Sequence, residues 1–534
     1  MAEIPFIGPS YVYRTKSLDA QRSINLYTAI SENPNSADIG ALIGTPGRSL
    51  FVALPNSVIR GSHEVLSRGF IVAGEGLYEI LEDNSYVFID NLDTNTGNVS
   101  MSDNGLQLVI VDGPNGYIVS LENSMTWPDG TTLTWPDNPD DTVSNDVKWP
   151  FSDTAFTTWP DNTVMTWPEG SYGDLDGSWP SDVLFEKIED PDFVGADTVT
   201  FSDGYFIFNK PDSGIYYISQ LYEGRDIDSL EFASAESSTD LLIAVIAVQN
   251  RVWLVGSNSI DIVYNSGALD FPYTRVDVSI DYGTAAPFSV AKLANTVILL
   301  GNDKYGDGTV WMFNGFQPER ISTDAVESAI QSYSNISDAV AHTYQEGGQH
   351  FYILNFPTAN TTWAYEIRTK MWHERAYQNA GTLERDRAQT HMFLFRKHLV
   401  GDYQNGNVYE QDLDIYTDNG DEIYRERTLP YLSDKEDLNN IYFKRFELVA
   451  QTGVGLSSSV ENDANPKVAL SWSDDDARTW SNEHVRSLGK IGERVRLIWN
   501  RLGRARRRVF KVVTTAKCKI AFTSAYVLAE KGDE

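Results

Sequence analysis

The sequence predicts an all-β protein: a β-propeller carrying a Trp-Pro-rich insertion, followed by a C-terminal β-sandwich. Three observations predict it. Short apolar runs joined by turn residues recur about every 40 to 55 residues, the period of propeller blades. A run of tandem Trp-Pro pairs interrupts that rhythm once. Near Tyr431 the rhythm gives way to longer strand-like runs, as in a sandwich.

The unit is clearest at residues 251–264. Val252, Trp253, Leu254 and Val255 form an apolar run, Gly256, Ser257 and Asn258 supply turn chemistry, and 260–264 is a second run rich in β-branched residues. That is a β-hairpin. A four-stranded sheet made from two such hairpins leaves both faces apolar, and a ring of copies buries them.

In chain order, residues 1–44 read as an arm, irregular except for the strand-like run 22–27. Thr45, Pro46 and Gly47 then turn into the apolar run 50–54, and the propeller is assigned to 45–430. Hairpins recur at 69–80, 106–119, 198–208 with 214–218, 296–301 with 309–313, 350–354 with 362–367, and 398–402 with 407–410. The longest apolar run, 241–248, has the length of a buried strand and is far too short to span a bilayer. One helix is expected at 322–333, capped by Ser322 or Thr323, with Asp324 at its positive end and Val326, Ala329, Ile330 and Tyr333 on one face.

The insertion, 124–182, holds Trp127, Trp135, Trp149, Trp159, Trp167 and Trp179, each followed by proline. Proline cannot donate to a ladder and the Asp-Gly or Asp-Asn that follows favours turns, so each copy ends a short strand. These tryptophans either grip an external partner, protein or sugar, or pack on one another to hold a small insert together. The sandwich is assigned to 431–534, with strands at 442–451, 467–473, 494–499, 509–515 and 518–529.

Charge narrows the function. The formal net charge of −33 argues against wrapping nucleic acid through phosphate contacts, and leaves only a sliding relation to DNA. Basic residues concentrate in one place, at Arg494, Arg496, Arg501, Arg504, Arg506, Arg507 and Arg508. On an acidic protein this patch favours a contact with another subunit or an adaptor. Cys518 is the single cysteine, so no intrachain disulfide can form. The N-terminus lacks the basic and apolar regions of a signal peptide.

No catalytic constellation stands out. The seven histidines are scattered singly without ligand spacing, and neither a nucleophile elbow nor a phosphate-binding loop occurs. Residues 301–308 place acids in a glycine-rich turn that could bind calcium, but a blade-connecting loop is the simpler reading. Residues 473–480 resemble the Asp-box of sialidase-type propellers, with Ala477 replacing its glycine; that box is a folding element and says little about hydrolysis.

Four stretches together resemble a known family. They are 252–267, the helix at 321–333, the segment 497–508, and Phe356-Pro357 with 362–365 and 371–374. They are similar, in order, to the packaged-DNA stabilisation proteins of short-tailed Salmonella-type bacteriophages, the tail hubs or nozzles of podoviruses. The resemblance covers most of the chain from Thr45. It implies a non-enzymatic structural protein without cofactor, assembled in the host cytoplasm into the virion tail. It implies a homohexameric ring below the portal and its adaptor ring, closing the channel with a tail needle and carrying tailspikes or tail fibres. DNA would pass through without sequence-specific binding, and no membrane insertion is involved. The Trp-Pro insertion departs from the family pattern and leaves the receptor-binding partner open. The alternative is a carbohydrate-binding or glycoside-hydrolysing propeller that uses the insertion to hold glycans.

Overall fold

The computed structural model describes residues 2–15, 19–31, 40–55, 57–121, 185–234, 240–268, 271–303, 306–434, 439–458 and 460–532. Two compact units emerge, Met1–Val119 with Phe185–Glu534, and Ser120–Leu184. The second lies almost wholly outside the described residues, and with it the six Trp-Pro tryptophans.

Among the described residues seven four-stranded antiparallel blades follow one another. Blade 1 is Ile59–Val65, Arg68–Ala73, Gly76–Ile80 and Tyr86–Asn91. Blade 2 is Ser100–Asp103, Gln107–Val111, Gly116–Ser120 and Phe185–Lys187, so the insertion leaves and returns between its third and fourth strands. Blade 3 runs from Val199–Ser202 through Tyr205–Asn209 and Ile215–Gln220 to Glu223–Ser234. Blade 4 runs from Leu242–Val248 through Arg251–Gly256 and Ile260–Asn265 to Tyr273–Ile280. In blade 5 the first strand is split into Gly283–Thr284 and Ala291–Leu293, followed by Thr296–Asp303, Gly306–Asn314 and Gln317–Arg320. Blade 6 is Val340–Glu346, Gln349–Phe356, Thr361–Glu366 and Met371–Asn379.

Blade 7 takes three strands from one end of the propeller and one from the other. Ala388–Leu394, Lys397–Asp402 and Asn407–Asp412 are completed by Gly47–Ala53, whose Val52 faces Val408 and whose Arg48 faces Gln411. The first strand of blade 7 packs beside that of blade 1, which closes the ring and leaves no open edge between first and last blade. The core between these blades shows the fit. Ile59, Ile71 and Ala73 meet Leu394, Leu399 and Val408, and a Cβ on Gly69 would come within 2.3 Å of Leu394.

The arm is woven into the rest of the chain. Ala2–Ile4 pairs with Ala521–Lys531, and Leu26–Ile30 with Gly40–Gly44 joins the same sandwich sheet as Ile441–Ala450 and Leu497–Asn500. Phe6, Leu26 and Leu42 enter the sandwich core with Phe443, Phe446, Trp499 and Phe510. Strand Ala20–Ile24 lies between Met371–Asn379 of blade 6 and Arg425–Thr428, which continues through Arg507–Thr514 and Lys467–Ser473 to His484–Ser487. Blade 6 and one sandwich sheet are therefore a single hydrogen-bonded surface. The third expected sandwich strand, 494–499, differs from expectation: pairing starts at Leu497, so Arg494 and Arg496 precede it.

The expected helix is present as Asp324–Ile330, where the Thr323 hydroxyl accepts a hydrogen bond from the Val326 N–H at 3.4 Å and Val326 and Ile330 are buried. A one-turn helix, Glu461–Ala464, also occurs. Among the described residues no helix is long and apolar enough to cross a membrane.

Candidate functional site

The arginine run resolves into two populations. Arg508 opens strand Arg507–Thr514 with its side chain inward, and is 2% exposed. Its guanidinium donates to Asp474 at 2.6 and 2.7 Å and to the Leu502 carbonyl, and lies between Phe443 at 4.7 Å and Trp472 at 5.2 Å. Strand alternation turns Arg508 into the sandwich. Arg507 is half-buried, stacked over Tyr431 at 3.7 Å and paired with Asp476 at 3.5 Å.

The remaining members point outward. Arg501, Arg504 and Arg506 are exposed, as is Arg494, and among the described residues no acid pairs with them. Strand Ile441–Ala450 positions them: Arg504 pairs its backbone with Tyr442, and the Arg501 N–H donates to the Lys444 carbonyl. Arg496 is exposed but clamps Glu447 at 2.7 to 3.0 Å. Residues 431–534 carry 18 Lys and Arg against 14 Asp and Glu, whereas residues 1–430 carry 24 against 61. The sandwich is mildly basic and the propeller strongly acidic.

Where the arm joins blade 6 to the sandwich, arginines find hydrogen-bond partners inside the subunit. Arg22 forms a bidentate pair with Glu374, whose other contact is the Ser10 hydroxyl at 3.0 Å. Arg427 is fully buried and donates to the carbonyls of Phe6 and Pro9 and to Gln21, while Arg425 donates to the Ala516 carbonyl. With carbonyl rather than carboxylate partners, burial pulls both guanidinium pKa values down to about 10. A cleft of about 830 Å³ opens beside this seam, lined by Arg14, Arg22, Tyr333, Trp363, Trp480 and Lys511 among others.

A second cluster was not visible in the sequence. His342, His373, His391 and His398, read as scattered, converge at the seam of blades 6 and 7. The His391 Nε2 lies 3.0 Å from His398 Nδ1, His342 stacks on His391 at 6.2 Å, and His373 lies 3.5 Å from Arg375 Nε. Burial disfavours the imidazolium form, so His342 is lowered to about 3 and His373 and His391 well below the ordinary range; Arg375 adds repulsion at His342 and His373. Arg48, on the closing strand, neutralises buried Asp386 at 2.5 Å and holds its carboxyl at about 2 against the effect of burial. Among the described residues no group of three or more His, Cys, Asp or Glu could hold a metal.

The Asp-box-like turn acts as a folding element. Asp475 accepts from the N–H groups of Arg478 and Thr479 and from the Thr479 hydroxyl at 2.6 Å, and the Ser473 hydroxyl bridges Asp475 and the Ala477 N–H. Ala477 has a φ of +59°, the region in which the motif's glycine is favoured. Of the glycine-rich acidic turn at 301–308, residues 304–305 lie outside the described residues, and its flanks are the hairpin Thr296–Asp303 and Gly306–Asn314 of blade 5.

Two family models match this architecture. Residues 2–416 match the model described as bacteriophage P22 Gp10, beta-propeller, and residues 426–530 that described as bacteriophage P22 Gp10, beta-sandwich. No curated protein matches. Similar solved structures include the WD40 beta propeller domain of Doa1, 10% identical over 68% of this chain and 98% of that one, with a TM-score of 0.37. The N-terminal domain of Nup159 is 8% identical over 73% and 99%, at 0.37, and the computationally designed Ika8 protein 10% identical over 68% and 99%, at 0.33. At these scores the solved structures carry no argument about the present chain.

Proposed function

The chain belongs to the bacteriophage P22 Gp10 family of DNA-stabilising tail-hub proteins, and from that premise we propose that six copies form a ring that continues the DNA channel below portal and adaptor. The ring retains packaged DNA, is plugged by a tail needle, and carries tailspikes or fibres on its outside. It acts as a scaffold rather than an enzyme, and reaches the virion tail after assembly in the host cytoplasm.

The observation that carries this reading is the separation of charge. An acidic propeller repels DNA and lets it slide, where a basic wall would retain it through phosphate contacts. The exposed arginines Arg494, Arg501, Arg504 and Arg506 then serve a protein contact, with a neighbouring subunit or the adaptor. Trp127, Trp135, Trp149, Trp159, Trp167 and Trp179 are the proposed grip for an external partner.

Negative-stain images of the purified chain test the reading. The expected result is a hollow six-fold ring; a subsequent map with a net positive lumen would overturn the sliding argument, and a solitary propeller at every concentration would overturn the ring.

A further inference from the structure

We propose that the rim of blade 1 receives the sandwich arginines of a second copy of this chain, which makes the ring contact head to tail. The inference rests on the ring reading above and names its two surfaces.

The acidic side comes first. No Lys or Arg occurs between Arg68 and Lys148, so blade 1 from its third strand onward and the whole of blade 2 up to the insertion carry no side-chain cation. Glu75, Glu82, Asp83 and Asp90 are exposed there. Among the described residues the outer strand Tyr86–Asn91 is hydrogen-bonded on its inner side only, to Gly76–Ile80, so its other edge keeps unpaired backbone groups there. It also exposes three consecutive apolar residues, Tyr86 at 39%, Val87 at 46% and Phe88 at 49%. Tyr86 and Phe88 are held upright by Tyr78, at 5.4 and 5.5 Å between ring centroids.

The outer strands of blades 5, 6 and 7 differ. Blade 6 is covered by the arm strand Ala20–Ile24 and blade 7 by Thr417–Asp418. The outer strand of blade 5, Gln317–Arg320, is polar. Blade 1 thus combines a free edge, an apolar strip and uncompensated carboxylates.

The complementary surface is on the sandwich. Arg494, Arg501, Arg504 and Arg506 are exposed on the sandwich, which also exposes the apolar residues Val485 at 45% and Ile491 at 71%. Both surfaces carry exposed apolar residues, and their charges oppose in sign, which steers and orients association. The sandwich sheet joins the propeller at blade 6, whereas the acidic strip is on blade 1. Two different patches, one on blade 1 and one on the sandwich beside Ile441–Ala450, give a heterologous contact, which closes into a ring when the rotation between copies allows.

The test is a charge exchange read by native mass of the full chain at low ionic strength. The wild type should assemble, while Glu82→Lys with Asp90→Lys, and separately Arg504→Glu with Arg506→Glu, should each leave a folded single chain. Mixing the two variants, or placing all four substitutions in one chain, should restore assembly. Assembly of the Glu82→Lys, Asp90→Lys chain at wild-type concentration overturns the inference and leaves the ring reading standing, as does failure of the exchanged charges to restore it. A wild type that stays a single chain overturns both.

Discussion

Buried and exposed arginines in this protein differ in what their surroundings ask of them. At the junction of arm, blade 6 and sandwich, and inside the sandwich, Arg425, Arg427 and Arg508 each find carboxylates or carbonyls inside the subunit. On the outer sandwich face, Arg501, Arg504 and Arg506 find none among the described residues. Removing the first kind strands buried polar groups; removing the second strands nothing within one chain. The difference separates residues that hold the subunit together from those available to a neighbour.

Acid should break the buried side of that comparison most. His342, His373 and His391 are held neutral, with folded pKa values below the unfolded value near 6.5, so the unfolded chain binds more protons and stability falls as pH drops below 6.5. The slope is about 1.4 kcal/mol per pH unit for each histidine. Glu346, raised by burial to about 7, opposes one of them between pH 7 and 4.5, since its protonated form is the folded one. Below pH 4, Asp386, held at about 2 by Arg48, adds to the loss. Denaturation midpoints that stay level from pH 7 to pH 5 would refute this balance.

Next in size is Arg427→Ala, which leaves the Phe6 and Pro9 carbonyls and Gln21 without their donor and should destabilise by about 3–5 kcal/mol. Limited proteolysis should then cut within 1–25 first; an unchanged digestion pattern would mean that the arm is held by its strand pairing alone. Arg508→Ala should lose about 2–4 kcal/mol, because Asp474 is partly exposed and can regain water. Arg504→Ala should change the stability of the single chain, read by thermal denaturation, by no more than about 0.5 kcal/mol. Equal losses for the two would erase the distinction. A gain is expected at Ala477→Gly, which relieves an alanine at φ +59° and should stabilise by about 0.5–1 kcal/mol, net of glycine's extra unfolded-state freedom, as read by chemical denaturation.

The blades were legible because each is local. The hairpin 251–264 appears as Arg251–Gly256 and Ile260–Asn265, with Trp253 facing Ile262 as alternation and turn chemistry require. What joins the parts was not legible, because it depends on pairings hundreds of residues apart. Strand Gly47–Ala53 completes a blade whose other strands begin at Ala388, and Ala20–Ile24 bridges Glu374 to Thr428. The four converging histidines come from four strands, so no spacing announces them. For the arginines the type and place were readable but not their facing: Arg506 and Arg508 are two residues apart, and only the onset of pairing at Arg507 shows which one turns inward.

Arginine-selective labelling with phenylglyoxal, read residue by residue in the assembled protein and after dissociation by salt, tests the division most directly. The account predicts that Arg501, Arg504 and Arg506 are protected in the assembly and reactive once dissociated, while Arg508 is unreactive in both. Equal labelling of Arg501, Arg504 and Arg506 in the two states would contradict it.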